Sequence, residues 1–146
     1  MSQTGTFEID VTRAFSSSAE DVYDAWLDPA RAGQWFFATP DGEMVVCELD
    51  GRVGGGFRMT DRRADGDMEH VGKYLSLDRP REIVFEFGVP QCGPDVSRVV
   101  VAIAPREAGC VVTLTQTIDD VWAEYKDQSI AGWTLMLAAF AVSLGE

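Results

Sequence analysis

The sequence predicts an α+β architecture in which a bent antiparallel sheet wraps around one long helix near the C-terminal end. Two observations carry that prediction. Short alternating segments separated by turn clusters fill the middle of the chain and leave no room for crossover helices. Behind them, 18 uncharged residues run from Gln128 to Gly145, with apolar groups recurring at steps of three and four. A length of 146 residues suits one domain, 1–146, and 46% hydrophobic with 25% charged residues excludes a disordered chain.

The elements follow in order. Phe7, Ile9, Val11 and Phe15 alternate with polar neighbours, the period of a half-buried strand. Ser16-Ser17-Ser18 supplies N-cap chemistry, with Ser18 three residues before Asp21, so a short helix is expected from about Ala19 to Leu27. Val22, Ala25 and Trp26 share its inner face, and Asp28-Pro29 stops it, because the residue before proline disfavours helical backbone. A second helical turn is expected over Ala30 to Trp35. Strands follow at Met44 to Leu49, Gly55 to Thr60, Met68 to Leu77 and Glu82 to Phe87, divided by Asp50-Gly51, Ala64-Asp65-Gly66-Asp67 and Asp78-Arg79-Pro80. Ser97 to Ala104 and Cys110 to Thr117 form a further pair. Gly54-Gly55-Gly56 is expected to serve a sharp bend in the sheet.

The last helix is expected from Val121 or Ala123 to Leu144. Ile130, Trp133, Leu137, Phe140 and Leu144 form its buried stripe. Leu135, Ala138 and Val142 lie on the other side, where they either take a second cover, such as a second copy of the chain in a homodimer through this helix, or stand as tolerated exposed apolar groups. A membrane span is not expected: Gln128, Ser129, Gly132, Thr134 and Ser143 dilute the stretch, a span needs about 20 predominantly apolar residues, and no basic flank follows.

Twelve Lys and Arg against 24 Asp and Glu leave a net charge of −12, so phosphate backbones and anionic membrane surfaces are excluded as expected partners. Cys47, Cys92 and Cys110 make neither a disulfide framework nor a zinc spacing. Met1 to Phe7 shows no basic region followed by an apolar run, and a cytoplasmic location is the expectation. The one histidine, His70, removes most triads and most histidine-ligated metals; no metal and no cofactor is expected.

The order of elements resembles the helix-grip fold of the START-like (SRPBCC) superfamily, and within it the homologues of the heat-shock chaperone ATPase activator, C-terminal-domain type. The matching pieces span nearly the whole chain. They are Val22-Tyr23-Asp24-Ala25-Trp26 with Asp28-Pro29, Trp35, Asp50 through Phe57, and Gly72-Lys73-Tyr74 through Phe85. Val112-Thr113-Leu114-Thr115 and Gly132-Trp133 with Leu137 complete them. Where many relatives carry a histidine after the Thr-Leu-Thr strand, this chain has Gln116, which weakens an acid–base reading there. The resemblance implies a cavity between the sheet and the long helix, with ligands that differ widely among relatives.

Within that frame, Trp133, Met136 and Leu137 are expected over the open side of the sheet, as cavity wall or as plain core. Phe57, Met59, Tyr74, Phe85 and Phe87 can line the same space from the strands, with Trp35 beside them. Arg13, Arg58 and Arg98 read as solvent-facing on a half-exposed sheet or as polar anchors inside the cavity, and Arg58, flanked by Phe57 and Met59, is the candidate anchor among them. No catalytic residue is assigned. His70 reads as a surface histidine near a hairpin tip, and Asp61, Asp65, Asp67 and Glu69 as a solvated cluster without calcium-loop spacing. The glycine triplet is no phosphate loop, since neither a lysine nor a helix follows it. Cys47 and Cys110 read as small buried strand residues and Cys92 as an exposed one. The first functional expectation is a module that holds a small apolar or amphipathic molecule. A protein-interaction module, such as a chaperone co-factor, is the alternative, and a cavity enzyme of cyclase or hydrolase type comes third.

Overall fold

A computed structural model describes residues 5–39, 41–90 and 96–146. Strand β1 (Thr6–Phe15) leads through helices α1 (Ala19–Trp26) and α2 (Pro29–Ala32) to β2 (Glu43–Leu49), β3 (Gly56–Arg63), β4 (Gly66–Asp78) and β5 (Glu82–Gly88). Strands β6 (Ser97–Arg106) and β7 (Gly109–Asp119), a 3₁₀ turn (Asp120–Tyr125) and helix α3 (Lys126–Ser143) complete the order. The strands make one antiparallel sheet, β1-β7-β6-β5-β4-β3-β2. With the long helix across it, this is the α+β helix-grip arrangement.

Alternation decides which face turns inward. In β7, Cys110, Val112, Leu114, Gln116 and Ile118 are buried while the residues between them are half-buried. In β1, Ile9, Val11 and Phe15 face the same side, Val11 opposite Leu114 and Ile9 opposite Gln116. The Ser18 hydroxyl caps α1 by accepting from the Asp21 N–H at 3.1 Å. Register shifts between Met44 and Val46 and between Tyr74 and Ser76 bend the sheet. The glycine triplet instead closes the β2–β3 connection. Gly54 takes a φ of +84°, and Gly56 packs so closely on the Gly72 carbonyl that a β-carbon has no room.

Along α3, Trp133, Leu137 and Phe140 are buried as the stripe requires, with Ile130 and Leu144 packed at the edge; Met136 and Ala141 widen it. Leu135 and Val142 point outward, 59% and 71% exposed. The helix starts later than its sequence suggests. The Asp119 carboxylate accepts from the Val121 N–H at 3.0 Å and caps a 3₁₀ turn, and since no residue of that turn is buried, packing does not impose the α-helical period there. After its last turn, the Glu146 carboxylate accepts the Ser16 N–H at 2.8 Å, the Ser17 N–H at 3.1 Å and the Ser17 hydroxyl at 2.8 Å, tying α3 to the β1–α1 connection. Among the described residues no helix is long and apolar enough to cross a membrane.

One end of the space under α3 is packed solid. Trp35 stacks on Phe140 with centroids 4.3 Å apart and meets Trp26 edge-on at 4.7 Å, and Phe140 also touches Phe15 and Trp26. Trp26, Trp35 and Phe140 are fully buried. The indole N–H groups of Trp26 and Trp35 find no partner at this end, nor does the Tyr74 hydroxyl elsewhere in the core, and buried polar groups left so cost free energy.

Candidate ligand-binding site

The other end is open. Two pockets, of about 340 and 250 Å³, lie between β5, β7 and the first turns of α3, and they share Phe87, Gln116 and Ser129. The larger runs from Phe87 and Ile118 to Trp122 and Tyr125 under the 3₁₀ turn. The smaller is walled by Phe37, His70, Phe87, Trp133 and Met136, with Thr39 and Arg63 also lining it. A bigger depression of about 680 Å³ lies on the outer sheet face, but it is lined by the ion-paired side chains Arg58, Arg62, Asp67 and Glu69 and has no aromatic wall.

Gln116 stands between the two pockets. The Trp133 Nε1–H donates to its Oε1 at 2.8 Å, and both residues are buried. An indole N–H can only donate, so the amide oxygen must face it. The amide nitrogen with its two hydrogens is left for the pockets.

His70 is 8% exposed and stacks on Phe37, with ring centroids 4.1 Å apart and planes 7° from parallel. Its Nδ1 is buried without a partner. Burial, reinforced by the Arg63 charge and opposed by Asp61, pulls the imidazole down to a pKa of about 4, so it is neutral at pH 7. Asp61 is fully buried; its Oδ2 accepts the Thr39 hydroxyl at 2.7 Å and the Arg63 Nε–H at 2.9 Å, so Arg63 reaches the pocket already paired. Phe37 takes a φ of 56°, rare for a residue with a β-carbon, and its N–H donates to the Met136 Sδ at 3.1 Å. Strain of this kind gathers where a backbone is held for a purpose other than stability.

The structure separates the candidate residues named from sequence. Phe87, Trp133 and Met136 line the pockets. Trp35, Phe57, Met59, Tyr74, Phe85 and Leu137 are buried behind them, each at most 3% exposed, and line neither pocket. Arg58 does not point inward. It alternates with Phe57 and Met59, so it takes the outer face and pairs with Glu69 at 2.6 Å. Arg13 and Arg98 are likewise exposed.

His70 is no surface residue, because the β3–β4 turn is only Ala64-Asp65 and the strand already runs by Gly66, which brings His70 inside opposite Met59. The acidic cluster divides for the same reason: Asp61 is inside, Asp65 is exposed, and Asp67 and Glu69 pair with Arg62 and Arg58. Cys47 is exposed rather than buried because β2 is the sheet edge, whereas Cys110 is buried; Cys92 and its loop lie outside the described residues. Among the described residues no cluster suited to a metal ion occurs.

Gln116, Phe37 and Arg63 are site residues that the sequence reading did not name as such. For Gln116 a signal existed: it holds the inward place in the alternation Leu114, Gln116, Ile118. For Phe37 none did, since its position depends on an irregular turn.

A family model described as activator of Hsp90 ATPase homolog 1-like protein matches residues 16–145. The chain belongs to that family. A search of curated proteins found no match. Among solved structures, a Chromobacterium violaceum protein is similar at 27% identity and a TM-score of 0.82, covering 92% of this chain and 94% of its own. A Staphylococcus aureus protein of unknown function shares the fold at 21% identity and a TM-score of 0.86, covering 98% and 96%. A member of the same family from Aeromonas hydrophila does so at 23% identity and a TM-score of 0.77, covering 95% and 92%.

Proposed function

We propose that this member of the Hsp90 ATPase activator-like family acts as a single-domain, cytoplasmic module, residues 1–146, that holds a small apolar or amphipathic molecule between α3 and the sheet. The observation that supports it best is the pair of pockets meeting at Phe87, Gln116 and Ser129, where aromatic wall and hydrogen-bonding side chain stand together. Trp133, Phe87 and Met136 would grip the apolar part. Phe57, Met59, Tyr74, Phe85, Leu137 and Trp35 would support that wall from behind.

The test is a thermal-shift screen of the purified chain against apolar and amphipathic molecules. A ligand at a hundred times its dissociation constant stabilises the native state by about 2.7 kcal/mol, and Trp133→Ala should abolish the rise. A screen that stays flat for every chemical class sinks the reading.

A second reading, a protein-interaction module working as a chaperone co-factor, takes its support from the family's description and from the net charge of −12. It predicts salt-sensitive association with a basic partner surface and indifference to small molecules. Self-association through Leu135, Ala138 and Val142 is compatible with either and predicts a dimer by sedimentation at high micromolar concentration.

A further inference from the structure

We infer, resting on the ligand-binding reading above, that the polar end of the smaller pocket is an array of hydrogen-bond donors built for an uncharged oxygen acceptor: a carbonyl carried on an apolar, ring-bearing body. The inference starts from what each polar side chain has left to offer. Gln116 has spent its oxygen on the Trp133 indole, so it presents N–H groups alone. Arg63 has no acceptor to present; its Nε–H is held by Asp61 and the rest of the guanidinium can only donate.

His70 is assigned by elimination. Its Nδ1 is buried with nothing to bond. A bare lone pair is cheaper to bury than a bare N–H, since the N–H is the group that strictly demands a partner. The proton therefore sits on Nε2, the ring nitrogen left to face the pocket that His70 lines. Three different strands thus bring donors to one small space: Arg63 from β3, His70 from β4 and Gln116 from β7. Thr39 gives its proton to Asp61 and Ser129 can serve either way, so neither reverses the balance.

Charge decides between a carbonyl and a carboxylate. The Arg63 guanidinium is already neutralised by the fully buried Asp61 carboxylate, and the imidazole facing the pocket is neutral. A ligand carboxylate would enter beside Asp61 with no unpaired cation to meet it, in a chain of net charge −12. A neutral carbonyl takes the same donors at no such cost.

Two measurements test this. The chain has one histidine, so an imidazole ¹H–¹⁵N spectrum of the folded protein at pH 7 reads His70 alone. A neutral ring protonated on Nε2 is expected; a ring protonated on Nδ1 overturns the donor array. The second is isothermal titration with four matched naphthalenes: 2-acetylnaphthalene, 1-(2-naphthyl)ethanol, 2-ethylnaphthalene and 2-naphthoate.

The ketone is expected to bind about tenfold tighter than the hydrocarbon, the worth of one net hydrogen bond, and tighter than the alcohol and the carboxylate. Gln116→Glu keeps an oxygen for Trp133 but removes the N–H donors, and should narrow the ketone's advantage over the hydrocarbon to what Arg63 and His70 still donate. Equal affinity of ketone and hydrocarbon, or a preference for the alcohol or the carboxylate, overturns the head-group assignment and leaves the binding reading standing. Failure of all four to bind, where the wider screen is also flat, overturns the binding reading itself. The wild-type series decides the matter even where Gln116→Glu does not fold.

Discussion

The two ends of the space beneath α3 are built from the same kind of residue and come out differently. At the closed end Trp26, Trp35, Phe140 and Phe15 interlock edge-on and stacked, and all four are buried. At the open end Phe37, Phe87 and Trp133 also meet at steep angles, yet space remains on either side of Gln116. Aromatic content therefore does not by itself make a pocket. The open end differs in three respects: a polar side chain stands among the rings, a 3₁₀ turn replaces the helix above them, and a strained Phe37 is propped by Met136. Rings can interlock on rings to the density of a molecular crystal, and at the open end the rings also have to share their space with the hydrogen-bonded Gln116 amide.

The comparison breaks most easily at the closed end. Trp35→Ala should cost about 3–5 kcal/mol of stability, as deletion of a fully buried ring does. Phe87→Ala, which removes a ring already facing free volume, should cost about half of that or less. Urea unfolding of both variants checks this, and equal losses would mean that the open end is packed as tightly as the closed one.

Next in size is the pH response of the open end. In the folded chain His70 takes a proton only near pH 4, whereas its ordinary value is 6.5. Between those values the unfolded state binds more protons, so stability falls as the pH drops from about 6.5 through about 4, by about 3 kcal/mol in all. His70→Phe should flatten that part of the curve, and unfolding midpoints at pH 7 and pH 5 for the two proteins would show it. Parallel curves would place the titration elsewhere.

Gly42 offers a smaller lever on the same end. A β-carbon there runs into the Asp61 carboxylate and the Thr39 hydroxyl, so Gly42→Ala should destabilise by about 1–3 kcal/mol through overpacking, read by thermal unfolding. The smallest effect belongs to the tether that joins α3 to the β1–α1 connection. Partial burial pushes the Glu146 carboxyl up, but hydrogen bonds from Ser16 and Ser17 more than offset this and hold it below the usual range. Because the group is mostly exposed, Glu146→Gln should cost no more than about 1 kcal/mol at pH 7. That loss should fade as acid protonates the wild-type carboxyl. Ligand affinity should not change, since Glu146 lines neither pocket.

Local chemistry made the frame of this protein legible from its residues. The Ser18 cap, the Asp28-Pro29 stop, the alternation along β1 and the stripe Trp133, Leu137 and Phe140 each depend on neighbours a few positions away, and each stands as expected. Inward and outward faces in β3 and β4 were different, because a strand of mixed residues leaves its phase open and one step of register exchanges every side chain. Arg58 went outward and Asp61 and His70 inward for that reason alone. The sequence by itself determined an α+β helix-grip chain rich in aromatic rings. Which rings close into core and which stand beside free volume was decided only in three dimensions. The deciding contacts, Gln116 with Trp133, Phe37 with His70 and Met136 with Phe37, join residues distant along the chain, and no local periodicity encodes them.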